Sequence, residues 1–263
     1  MKKYLIYSLV LLLFSTLSFA QELAPAITQP PIVAANTALK LVLEDINLQF
    51  SKDTGLSIKF DFQSSAVLYH KILQKPESFE LFMSDDEQYV ADLAKKGLTG
   101  DKSILYAIGR LILFAPKGSP LVLDSELAGL KANLKAAELS QFIIADPQNS
   151  NYGRASKQAL INVGIWDEIQ SRLSLAESVQ QAAQVAAFGQ TQGGIFAYSL
   201  VLNPWVKAQG NFVLISEKLY PTLRHRMVLL KNPSSATKTF YQYLQQPKSQ
   251  AIFEQYGLSL QHP

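Results

Sequence analysis

Four short stretches place small, hydroxyl or amide residues directly before an apolar run with helical spacing. They are Ala35-Asn36-Thr37-Ala38, Gln63-Ser64-Ser65-Ala66, Ser150-Asn151-Tyr152-Gly153 and Ala176-Glu177-Ser178-Val179. Each follows a run with strand character. A helix N-terminus offers unpaired N–H groups and the positive end of the helix dipole, so it holds an anion without any cationic side chain. Small side chains let the anion approach the backbone. Two such corners from each of two lobes would converge on one anion in the cleft between them. Serine, threonine and asparagine also cap helices in any α/β protein, so one corner alone indicates only that a helix starts.

Residues for covalent or metal chemistry are sparse. The chain has three histidines and no cysteine. His70 falls inside a helical run, His225 between apolar segments and His262 in the tail, and there is no G-x-S-x-G and no H-E-x-x-H. Gly97 to Ser103 (GLTGDKS) echoes a phosphate loop, but its glycine spacing is wrong and it reads as a helix end and turn. An uncharacterised enzyme therefore stands only as a rival reading. Asp85 and Asp86 end an expected strand. There they could face the cleft, but opposed to an oxyanion they would repel it, so a solvated loop or a contact with the transporter is the expected place. Arg154 is expected on the surface, adding at most positive potential, and Trp166 and Trp205 are expected to pack rather than to stack on a ligand.

The elements that must carry these corners follow from patterning. Lys2 and Lys3, the apolar run Tyr4 to Phe14, and Ser18-Phe19-Ala20 form an expected export signal over residues 1–20, with the mature chain starting at Gln21. Without it, 22 of the 24 basic residues face 21 acidic ones, a balance that argues against nucleic-acid or membrane-surface binding. Ile32 to Ala35 reads as a strand, followed by a helix from about Ala38 with Leu39, Leu43, Ile46 and Phe50 on one face and Gly55 at its end. Leu56 to Phe62 alternates as a strand, and Ser64 and Ser65 are candidate caps for the next helix. Strands at 81–84, 111–115, 142–145, 172–176, 194–199, 212–216 and 227–230 are expected to alternate with helices at 88–96, 153–163 and 179–188 and with a helical C-terminus. That alternation implies an α/β architecture with mostly parallel sheets.

The ordered segments VAANTALK, FQSSAVLYHKI, FELFMSDDEQYVADL, YAIGRLILFAP, IADPQNSNYGRASKQAL, WDEI, AESVQQAAQVAAFG, GGIFAYS and the tail from FYQYL to FEQYGL resemble the periplasmic molybdate-binding proteins of bacterial ABC importers. The resemblance runs from about Ile32 to Leu258. It implies a two-lobed, type II periplasmic binding protein with mixed, mostly parallel sheets and a ligand cleft between the lobes. The implied lobe I covers residues 27–108 and 223–263, lobe II covers 109–222, and the crossings lie near Ile108-Gly109 and Leu223-Arg224. The implied ligand is molybdate or tungstate, with no cofactor and no directly coordinated cation. The implied partner is a membrane permease, for a monomeric periplasmic protein. The family's second hydroxyl ligand falls on Ser65, with Ser64 beside it, and its backbone donors fall on Tyr152 and Val179. Its first-corner serine falls on Ala38, where Asn36 or Thr37 could substitute. Its anion-facing tyrosine falls on Ala197, with Tyr198 one place along. Sulfate and small organic acids remain alternatives. Hydrogen phosphate is disfavoured because it needs an acceptor and no acid lies within the first two corners.

Overall fold

The computed structural model describes residues 30–258 and residue 260. The expected export signal and His262 lie outside the described residues. Ten strands form two five-stranded sheets. In chain order they are β1 (Ile32–Asn36), β2 (Lys59–Gln63), β3 (Leu81–Ser84), β4 (Ile104–Gly109), β5 (Leu111–Pro116), β6 (Phe142–Ala145), β7 (Leu173–Ala176), β8 (Gly194–Ala197), β9 (Gly210–Leu214) and β10 (Leu223–Leu229). The helices that matter below are α1 (Lys40–Thr54), α2 (Ser65–Gln74), α3 (Glu87–Lys95), α4 (Ala128–Lys135), α5 (Asn151–Asn162), α6 (Trp166–Ile169), α7 (Val179–Ala187), α8 (Tyr198–Val201), α9 (Pro204–Ala208), α10 (Ser235–Leu244) and α11 (Pro247–Gln255).

The first sheet runs β2-β1-β3-β10-β4 and the second β7-β6-β8-β5-β9. In the first, β1 pairs in parallel with β2 and β3, while β10 is antiparallel to β3 and β4. In the second, β6 pairs in parallel with β7 and β8, while β5 is antiparallel to β8 and β9. The two lobes thus repeat one plan. The chain leaves the first sheet through β4 and enters the second, one residue later, as β5. It returns from β9 to β10, which lies between β3 and β4 and pairs Leu223 with Gly109 at the crossing.

Alternation along the strands splits the first lobe's core into two layers. Val33, Ala35, Leu81, Met83, Met227 and Leu229 face the layer under α1, α10 and α11; Ala34, Phe82 and Val228 face the layer under α2 and α3. The second lobe has one larger core, which also takes in Ala38.

Several boundaries differ from the sequence reading. β2 starts at Lys59 rather than Leu56, because the Asn47 side chain takes both backbone groups of Ile58, at 3.1 Å each. The strand expected through Ser199 ends at Ala197, and Tyr198 opens a short helical turn where the Ser199 hydroxyl donates to the Ala38 carbonyl. β4 and α4 are additional to the expected elements.

Candidate functional site

Three of the four corners are capped in the same way. Ser64, Ser150 and Ser178 each sit in extended backbone and accept a hydrogen bond from the third helical N–H, that of Val67, Gly153 and Gln181 respectively. The first two N–H groups of each helix have no intrahelical acceptor by geometry. These are Ser65 and Ala66 in α2, Asn151 and Tyr152 in α5, and Val179 and Gln180 in α7. At the first corner Asn36 is the cap, accepting from Ala38 N–H at 2.9 Å. All four corners follow strands of the parallel sets, at the carboxyl ends where α/β sheets place their ligands. Gly153 lets α5 begin hard against β6, since a Cβ there would lie 2.3 Å from the Ala145 carbonyl oxygen.

Asn36, Thr37, Ser64 and Ser65 are all buried. Asn36 Nδ2 donates to Ser65 Oγ at 3.3 Å, joining the first two corners. Thr37 Oγ1 has no hydrogen-bond partner among the described residues.

The structure corrects the expectation for the paired acids. Asp85 is 1% exposed and lies against Ser65, not in solvent. Ser65 Oγ donates to Asp85 Oδ1 at 2.5 Å and accepts from Asp85 N–H at 3.2 Å. Asp85 Oδ2 is buried without a partner among the described residues. Burial raises the Asp85 carboxyl to about 6, against the hydrogen bond from Ser65, with Asp86 adding to the rise and Arg154 opposing it. Asp86 caps α3 and forms an ion pair with Arg154, so Arg154 is not a lone surface arginine either. The sequence pattern marked Asp85 at a strand end but not its burial, because its partner Ser65 lies twenty positions away.

Hydrogen bonds across the cleft bring α5 to this cluster. Asn151 Nδ2 donates to the Asp85 carbonyl at 2.5 Å, and Arg154 reaches Asp86 from the same helix. The Tyr152 ring is buried, and its hydroxyl meets His225 Nε2 at 3.0 Å. His225 stands just before a register shift in β10, and burial lowers it to about 3, so it is neutral at ordinary pH. Val179 opens α7, which packs against the Thr37–Leu39 turn. The Tyr198 ring lies over Gly257, near Phe212 and Arg110, and the next residue, Ser199, donates to the Ala38 carbonyl of the first corner. The site is a set of neutral donors beside two buried carboxyls, Asp86 paired with Arg154 and Asp85 with no cation. No group of three or more histidine, cysteine, aspartate or glutamate residues able to hold a metal ion occurs among the described residues.

A family model described as bacterial extracellular solute-binding protein matches residues 32–259. The chain belongs to that family. Within it, the sequence is 31% identical to the molybdate-binding protein ModA of Azotobacter vinelandii over 87% of this chain and 88% of that one. It is 26% identical to ModA of Escherichia coli over 87% and 88%. The solved structure of the Azotobacter vinelandii periplasmic molybdate-binding protein superposes with a TM-score of 0.79 at 26% identity, covering 88% of this chain and all of that one. The sulfate-binding protein SubI of Mycobacterium tuberculosis, at 13% identity and TM-score 0.70, shares the fold.

Proposed function

We propose that this protein is the periplasmic solute-binding component of an ABC importer and captures molybdate or tungstate. What supports the reading is the Asn36–Ser65 hydrogen bond between the first two corners, with α5 held to Asp85 and Asp86 and α7 against the Thr37–Leu39 turn, in a chain 31% identical to a molybdate-binding protein. In this reading Ser65 donates its hydroxyl, with Ser64 holding the helix start in place. The N–H groups of Tyr152 and Val179 donate from the second lobe, and Asn36 and Thr37 supply the first corner in place of a serine at Ala38. Tyr198, one place along from Ala197, is the side-chain donor proposed from the end of β8. Residues 1–20 act as the export signal. Lobe I takes residues 27–108 and 223–263, lobe II takes 109–222, and a monomer delivers the anion to a membrane permease. No cofactor and no directly coordinated cation takes part.

Calorimetric titration with molybdate, tungstate, sulfate and hydrogen phosphate tests the reading. Tight binding of the first two alone supports it. Heat only with sulfate, or with none of the four, overturns it.

A further inference from the structure

Asp85 is hard to reconcile with a site made only of neutral donors. A serine hydroxyl has one proton to donate. That of Ser65 goes to Asp85 Oδ1, while Asn36 Nδ2 and Asp85 N–H already point at its oxygen. An ionised Asp85 therefore competes with any anion for the proton of Ser65, and its second oxygen, buried and unpartnered, adds a negative charge beside the anion's own. A protonated Asp85 reverses both effects. It needs nothing from Ser65, whose proton is freed for the anion, and it brings an O–H donor of its own.

We propose that Asp85 determines the specificity of the site by carrying a proton whenever a fully ionised tetrahedral dianion is bound, so that capture of a dianion near neutral pH takes up close to one proton. This rests on the oxyanion reading given above.

The groups around Asp85 leave it as the one that titrates in the neutral range. From α2 it faces Ser65, which Asn36 of β1 also meets, and neither ionises there. From β4 it is felt by Tyr106 and from α5 by Tyr152, and burial holds both phenols well above their ordinary value. From β10, His225 is held neutral by burial. The remaining charges are the Asp86–Arg154 pair, whose members act on Asp85 in opposite directions. Tyr89 of α3 is also raised. Desolvation already places Asp85 at about 6, and a bound dianion raises it further. Between those two values affinity falls as pH rises; below the lower one it is level.

Titration of the full mature chain with molybdate from about pH 5.5 to about pH 8.5, in buffers of different ionisation enthalpy, reads both affinity and protons. The expected dissociation constant is level up to about pH 6 and then rises about tenfold per pH unit, with close to one proton taken up per anion near neutral pH. In Asp85→Asn, which keeps the shape of the protonated acid, the slope and the proton uptake both disappear. Tight wild-type binding with a level dissociation constant and no proton uptake would overturn the proposal and leave the molybdate reading standing. So would an Asp85→Asn variant that keeps the slope. Failure of both proteins to bind molybdate at any pH, or hydrogen phosphate binding in its place, overturns the molybdate reading and this proposal with it.

Discussion

At the residue scale, Ser65 is a hub, meeting Asn36, the Asp85 carboxyl and the Asp85 N–H. Ser65→Ala removes a hydroxyl that neither neighbour can replace. The expected loss is about 1.5–3 kcal/mol of binding to a charged ligand, or about ten- to a hundredfold in the molybdate dissociation constant, read by calorimetry. Asp85 also bears on stability. Its folded value of about 6 lies above its unfolded 3.8, so its favourable contribution is complete below 3.8 and is lost as pH rises through 6. Asp85→Asn should therefore raise urea resistance at about pH 7.5 by on the order of 1–3 kcal/mol, and the gain should vanish by about pH 4. His225 works in the opposite sense: lowered from 6.5 to about 3, it contributes fully above 6.5 and loses that contribution as pH falls towards 3. Without Asp85 to offset it, the acid side of the stability curve of Asp85→Asn should be steeper than that of the wild type. Equal differences at both ends of the range would contradict this account. The caps Ser64 and Ser178 were legible in the sequence, since a hydroxyl before an apolar helical run is local information. Asp85 was not. Two adjacent acids read as a solvated pair, and only the meeting of β3 with α2 shows one of them enclosed and the other bound to Arg154.

At the element scale, the strand–helix alternation was legible wherever the start signal adjoins the element it starts. It failed at α4, where the capping residue Leu127 offers no side-chain acceptor and stands at φ 60°. The first turn is held instead by Asp124, four and five residues before the N–H groups of Ala128 and Gly129 that it accepts from. β4 was missed because it is read only through its pairing with β10, more than a hundred residues on. The helix α5 begins two residues before the expected Gly153, since Ser150 rather than the glycine sets its start. Gly153 has a different task, the close approach to Ala145. Gly153→Ala should push α5 off β6, lowering stability by about 1–3 kcal/mol. Because the same shift moves the Tyr152 N–H, molybdate affinity should fall too. Ser150→Ala, which loses only the cap, should cost about 0.5–2 kcal/mol of stability. If Gly153→Ala proves no worse than Ser150→Ala in urea unfolding, the close-packing argument fails.

At the scale of the whole molecule, the lobes are held together around the site by Asn151 to Asp85, Arg154 to Asp86, Tyr152 to His225 and Ser199 to Ala38. If the lobes part, contacts of this kind break, so a ligand held from both sides should shift the population towards closure by its differential affinity. Small-angle scattering should give a smaller radius of gyration with molybdate than without. The double substitution Asn151→Ala, Arg154→Ala should enlarge the ligand-free radius and weaken binding while leaving Ser65 intact. An unchanged radius in both comparisons would count against hinge closure. The α/β class was legible from periodicity, but the strand order was not: no local pattern tells that β10, last in the chain, enters the middle of the first sheet.

That insertion has a consequence for the order of events during synthesis. All five strands of the second sheet lie between residues 111 and 214, so that lobe can close on itself before the remainder of the chain emerges. The first sheet must wait. Its strands β1, β2 and β3 appear early, yet the edges of β3 and β4 have no common neighbour until residues 223–229 arrive. Pairings that span so long a stretch of chain form slowly and leave apolar strand edges open meanwhile. A nascent molecule therefore passes through a stage with the later lobe finished and the earlier one incomplete, and pulsed hydrogen exchange should show β5 to β9 protected before β1 to β3.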